Sequence, residues 1–337
     1  MAGAGCRALA ALLLLLSTFL VGGAVLQSDH LVVLSHGIMG NRNDLLYLSQ
    51  KLEEKGCVVL RSIANEVLQS LNGIQTGGRN LAKEIEALQA LQPNLKRISF
   101  VGNSMGGLYA RYAIKELFES GSRRIATLEP YFFMTIATPH LGVRDYTFLD
   151  EYGVTAPSFL KNLVARTLKQ TGRELFSIDA SRSQRLHLLF RMATEAQFLL
   201  PLKAFATRRL YANLNLDLVV PLGTAAFLPR SEVDLYRAQF SSQSGVVKVI
   251  TTTTDGDNEW AGTQEVCSSP DEEALQLMRV GLNSCGWEKF IVHFRGFIPL
   301  AHNKIAALTK YTDTLDALLG FTEGRFVMDA AAKWLTS

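Results

Sequence analysis

The feature that most constrains this chain is a five-residue turn, Gly102-Asn103-Ser104-Met105-Gly106, set between two runs of different periodicity. Before it, Arg97-Ile98-Ser99-Phe100-Val101 has the short apolar character of a strand. After it, Leu108 to Ile114 has that of a helix. Where a strand passes so abruptly into a helix, a Cβ on either flanking glycine would meet the neighbouring strand or helix. The serine between them is held in a strained backbone with its hydroxyl clear of the sheet. G-x-S-x-G in this context offers a nucleophile for an acyl carbon.

The rest of the chain repeats the same rhythm. His30–Leu34 suits a strand buried on both faces, followed by a helix over Asp44–Lys55 and a strand over Val58–Ile63. Thr76–Leu91 carries Leu81, Ile85 and Leu88 at helical spacing, and Tyr131–Ala137 reads as another buried strand. Further strands are expected at Arg209–Asn213, Val246–Thr252 and Glu288–Phe294, with a terminal helix over Phe326–Leu335. This alternation predicts an α/β fold, a mostly parallel sheet with helices on both faces. Residues 145–207 interrupt it with two apolar helical stripes. They read equally as a lid over an acyl-binding pocket or as extra helices packed into the core. Residues 255–286 are polar and acidic, which predicts a surface excursion.

Composition narrows the partners. The 34 basic and 31 acidic residues leave a net charge of only +3, and no basic stripe is present, which argues against a nucleic-acid partner. The first 24 residues differ in character from the remainder of the chain: Arg7 precedes the apolar run Ala8–Leu20, and small residues end it at Val21-Gly22-Gly23-Ala24. This predicts a signal peptide or an uncleaved signal anchor, hence the secretory pathway, ahead of a single domain over 25–337. A plastid or a lipid droplet is the alternative location. Cys267 and Cys285 could pair in an oxidising compartment, although three free thiols beyond the leader is an equally good reading.

A serine hydroxyl needs a histidine to take its proton and a carboxylate to orient that histidine. In doubly wound hydrolases the three follow in the order Ser, acid, His, each after a strand. His30 and His36 precede the serine, His187 lies in the insertion and His293 inside a strand. His140 comes ahead of every plausible acid loop. His302 follows the last strand and opens a helix, so it is the candidate base. Asp217 is the sole carboxylate between Glu195 and Glu232, in an apolar loop closed by Val220-Pro221, and is the candidate acid; Asp255 and Asp257 stand in reserve. For the oxyanion hole the expected backbone donors are Met105 and Ile38, the latter in His36-Gly37-Ile38-Met39-Gly40. Such chemistry requires no metal or organic cofactor.

Five stretches resemble the lipase-like serine esterases of the α/β-hydrolase superfamily. They are Leu31 to Gly37, Phe100 to Leu108, Ala137-Thr138-Pro139-His140-Leu141-Gly142, Tyr211-Ala212-Asn213 through Asp217 to Pro221, and His302-Asn303-Lys304-Ile305. The resemblance implies hydrolysis of a carboxylic ester, on glycerolipids or phospholipids and hence with possible membrane or lipid-surface association. It also supports Ser104, Asp217 and His302 position by position. Acyl transfer to a lipid alcohol is the alternative within catalysis. A non-catalytic lipid- or protein-binding module on the same fold is the alternative outside it.

Overall fold

The computed structural model describes residues 28–146, 157–179, 186–254 and 270–337. The leader, with its signal reading, lies outside them, as do Cys267 and the reserve acids Asp255 and Asp257. Nine strands are described: β1 (His30–Ser35), β2 (Val58–Arg61), β3 (Arg97–Asn103), β4 (Phe118–Glu119), β5 (Arg124–Ile125), β6 (Glu129–Ile136), β7 (Thr207–Asn213), β8 (Gly245–Thr251) and β9 (Glu288–His293). Seven of them form one sheet in the order β2-β1-β3-β6-β7-β9-β8. All neighbours pair in parallel except β8, which closes one edge antiparallel to β9. The mostly parallel α/β architecture expected from the alternation is therefore present. A small β4–β5 hairpin, too short to leave a periodic signal, is an addition to it.

Strand burial explains why the parallel run is stable. In β1 the side chains of Leu31 and Val33 enter one core, and those of Val32 and Leu34 the other; all four are at most 2% exposed. Fully burying such a side chain contributes about 1.5–3 kcal/mol, so a strand apolar on both faces is held from both sides. One core takes α1 (Leu46–Glu53) and the C-terminal helix. The other takes α2 (Ile74–Leu91), α3 (Met105–Leu117) and much of the insertion.

The insertion divides into two parts with different fates. It contains α4 (Ser158–Thr167), α5 (Lys169–Leu175), α6 (Leu188–Thr194) and α7 (Ala196–Lys203). Leu188, Leu189, Met192, Phe198 and Leu202 of α6 and α7 are buried in the main core, so here the core-packing reading holds. Helix α4 instead leaves Phe159, Leu163 and Val164 in solvent. After β7 come α8 (Leu222–Ala225), α9 (Arg230–Phe240) and α10 (Pro270–Asn283), then α11 (Ala301–Ile305), α12 (Asp313–Leu318) and α13 (Arg325–Leu335) after β9. Helix α10 corrects the expectation of a polar surface excursion over its residues. Its acidic first turn favours the positive end of the helix dipole, while Leu275, Met278 and Leu282 are buried on one face. Among the described residues Cys57 and Cys285 form no disulfide.

Helix α5 is tied to the body at the start of α2. The Thr171 hydroxyl donates to the Ser70 carbonyl (2.7 Å) and accepts the Gly73 N–H (2.9 Å). Glu174 accepts the Ile74 N–H, and Gln170 Nε2 at 3.0 Å. Glu174 is 4% exposed, and burial pushes its carboxyl from an ordinary 4.5 up to about 7. Between those values the folded chain holds a proton that the unfolded chain has lost, so stability falls as pH rises from about 4.5 to about 7. Glu174→Gln is expected to remove this slope, worth about 3 kcal/mol at most, in denaturant unfolding compared on either side of the window.

Candidate active site

The C-terminal edge of the parallel strands carries the site. Strand β3 ends at Asn103, and α3 begins at Met105, leaving Ser104 alone at the turn with φ 54° and ψ −128°. A non-glycine residue in this region carries about 1–3 kcal/mol of strain, which the surroundings must hold. They do so through packing. A Cβ on Gly106 would lie 2.0 Å from the Ser35 carbonyl oxygen, and one on Gly102 would lie 2.3 Å from the Gly107 Cα. The Ser104 N–H donates to the Ile136 carbonyl of β6 at 2.8 Å, pinning the turn to its neighbour.

The loop after β1 runs directly beneath the serine. A Cβ on Gly37 would stand 2.7 Å from Ser104 Cβ and 3.2 Å from Oγ, so only a glycine allows this approach. Gly40 then closes a tight turn, its N–H donating to the Gly37 carbonyl at 3.2 Å. Among the described residues, neither the Ile38 nor the Met105 N–H is taken by a backbone acceptor. Met105 is the first residue of α3, where an N–H has no partner within the helix. Met105 follows the serine directly, and Ile38 follows Gly37, the residue of the β1 loop that packs against it.

Asp217 and His302 are brought together from segments 85 residues apart. Asp217 follows β7 and is 1% exposed. It forms an isolated bridge with Leu300, which brings the loop after β9 alongside, and the Ala301 N–H donates to the Leu216 carbonyl at 3.2 Å. His302 then sits in the first turn of α11, with Nδ1 donating to Asp217 Oδ2 at 3.0 Å. The same oxygen accepts Asn213 Nδ2 at 2.7 Å, while Oδ1 accepts the Val219 and Val220 N–H groups at 3.0 and 2.8 Å. Four donors compensate the desolvation of this buried carboxylate, which an isolated one could not survive. With Nδ1 committed, the ring presents Nε2 as its proton acceptor. Ser104 Oγ and His302 are not hydrogen-bonded to one another among the described residues.

Three of the other histidines have partners elsewhere in the fold. His140 is fully buried between Phe227 and Trp287, with Nδ1 3.2 Å from an Arg111 nitrogen and Nε2 3.0 Å from Thr135 Oγ1. Burial, then Arg111 and Lys289, hold it well below its ordinary pKa, so it is a neutral core ring. His30 bonds Ser99, and His293 faces the Gln243 carbonyl. Two contributors escape a reading of the sequence. Asn213 stands within the Tyr-Ala-Asn stretch, yet spacing alone gives it no role beside Asp217. Ser70, whose Oγ accepts the Met39 N–H at 2.9 Å, braces the loop carrying Ile38 from a distant segment and leaves no sequence signal.

The chain is 30% identical over 214 residues to "Putative lipase C4A8.10" of Schizosaccharomyces pombe, covering 59% of this chain and 26% of that protein. It is 31% identical over 212 residues to "Putative lipase ROG1" of Saccharomyces cerevisiae, covering 60% and 29%. The chain thus spans a little over a quarter of the length of these two relatives. Among solved structures it is similar to the propeptide form of Bacillus licheniformis lipase BlEst2, at 13% identity and a TM-score of 0.37, over 54% of this chain and 35% of that one. Residues 26–231, more than half of the chain, match the family model described as "Putative serine esterase (DUF676)". With a strained serine on the strand-to-helix turn and an Asp–His pair on the same sheet edge, this chain belongs to that serine esterase family.

Proposed function

We propose that this protein hydrolyses carboxylic esters of lipids through a Ser104–His302–Asp217 triad and an acyl-enzyme. The observation that carries the reading is the 3.0 Å Asp217–His302 hydrogen bond, on the sheet edge where Ser104 is strained outward. Ser104 Oγ attacks the ester carbonyl carbon while His302 Nε2 takes the hydroxyl proton. The carbonyl oxygen becomes an oxyanion that accepts from the Met105 and Ile38 N–H groups. The tetrahedral intermediate collapses, the C–O bond to the alcohol breaks, and His302 returns the proton to the departing alkoxide. Water, deprotonated by His302, then releases the carboxylic acid and restores Ser104.

The names of the two yeast relatives and the solvent-exposed apolar residues of α4 favour a lipid rather than a small polar ester. A fluorophosphonate probe followed by peptide mapping tests the nucleophile. Label is expected on Ser104 and is expected to vanish in His302→Ala; a protein that does not label, or labels elsewhere, contradicts the triad. Acyl transfer uses the same acyl-enzyme with a lipid alcohol in place of water. Product analysis with a monoacylglycerol present separates the two: free fatty acid as the dominant product supports hydrolysis.

A further inference from the structure

We infer that α4 and α5 form a docking surface for an anionic lipid bilayer, holding the mouth of the candidate site against the membrane. Residues 157–173 contain four basic side chains and no acidic one, more positive charge than the whole chain's net +3. Arg166, Lys169 and Arg173 are exposed and form no salt bridge among the described residues. On α4 the exposed Phe159 and Leu163 share a ridge with Arg166, at spacings of four and three residues. An apolar ridge flanked by cations fits the boundary between anionic headgroups and acyl chains, with the arginine head rising to the phosphates. An acidic protein would satisfy the cations yet give Phe159, 74% exposed, no apolar phase to enter.

The surface is fixed relative to the site. Ser70 accepts the Thr171 hydroxyl of α5 on its carbonyl (2.7 Å) and the Met39 N–H on its own hydroxyl (2.9 Å). One residue therefore joins the basic helices to the loop bearing the Ile38 oxyanion donor. Apolar side chains continue around the same strand edge. Met39 and Leu68 are exposed in the loops after β1 and β2, and Phe297, 98% exposed, in the loop leading to His302. Phe297 again has a basic companion, the exposed Arg295.

This inference rests on the lipid-ester reading, but its test involves no turnover. The full-length Ser104→Ala protein is floated with vesicles of phosphatidylcholine, and with vesicles that also contain phosphatidylserine. Binding at least tenfold tighter to the anionic vesicles, weakening with added salt, is expected. Each basic residue near an anionic surface contributes about fivefold, so Arg166→Gln, Lys169→Gln and Arg173→Gln together should cost roughly hundredfold. Phe159→Ser should weaken binding to the same vesicles while leaving thermal unfolding unchanged. The N-terminal leader is common to all these proteins, so differences between them report on the helices. Equal binding to the two vesicle types, or a triple variant that binds as its parent does, overturns the inference. Ester turnover and probe labelling remain separate readings of the triad.

Discussion

Ser104→Ala is expected to lower ester turnover on the order of 10^6-fold without unfolding the protein. Without the serine hydroxyl the acyl-enzyme route is closed, and the turnover left would be direct attack by water, deprotonated by His302 and assisted by the Met105 and Ile38 N–H groups. Asp217→Asn should cost about 10^4-fold. An amide in that position can offer its NH2 group to His302 Nδ1, which reverses the direction of the 3.0 Å hydrogen bond and selects the wrong tautomer. Stability should separate the roles. Alanine at 104 keeps the strained φ of 54°, so it should change stability little, whereas Ser104→Gly relaxes it and should stabilise by about 1 kcal/mol. Turnover on a soluble p-nitrophenyl ester, with thermal unfolding of each variant, reads both. Wild-type turnover by Ser104→Ala would end the assignment.

Gly106→Ala is expected to destabilise by more than about 3 kcal/mol and to remove activity even at temperatures where the variant stays folded. The added Cβ would lie 2.0 Å from the Ser35 carbonyl oxygen, 2.6 Å from its carbon and 2.7 Å from the His36 oxygen. All three are backbone atoms of the end of β1 and the loop after it, so no side chain can swing aside. Relief requires the end of β1 to move, and Gly37 and Ile38 move with it. Displacing an oxyanion donor by about 1 Å costs on the order of 10^2-fold. Gly121→Ala is the matched control, since nothing lies within 4 Å of its Cβ; a change within about 0.5 kcal/mol is expected there. Equal behaviour of the two variants in unfolding and turnover would refute the packing account.

The parts of the fold visible in the sequence are those whose physics is local. Strands β1, β3, β6 and β9 each show a short apolar run, because a strand covered on both faces buries mainly apolar side chains; a polar one taken inward is hydrogen-bonded, as Lys289 of β9 is to the Ala226 carbonyl. Helix α2 shows itself through Leu81, Ile85 and Leu88, and the nucleophile turn through its glycines. Helix α10 is hidden because its first turn, Asp271-Glu272-Glu273, resembles a solvated loop in composition. Those charges favour a helix N-terminus, and the apolar residues that bury the helix come later in the run. The insertion is ambiguous because apolar helical stripes look alike whether a core or a lipid surface covers them. Only the packing separates α6 and α7 from α4.

For the site, chain order and residue chemistry single out Ser104, Asp217 and His302, along with the loop holding Ile38. These are local properties: a turn that needs glycine, a carboxylate isolated in an apolar loop, a histidine opening a helix after the last strand. The sequence by itself determined which groups a nucleophilic mechanism can draw on and the kind of sheet that presents them. The tertiary structure alone decided how they are held. Asn213, Val219 and Val220 satisfy Asp217, Leu300 brings His302 to it, and Ser70 braces the loop beneath Ser104. These contacts join residues through backbone amides and short polar side chains that nothing in composition or spacing distinguishes. They exist only once β7 and β9 lie side by side and the segment between β2 and α2 has closed over the β1 loop.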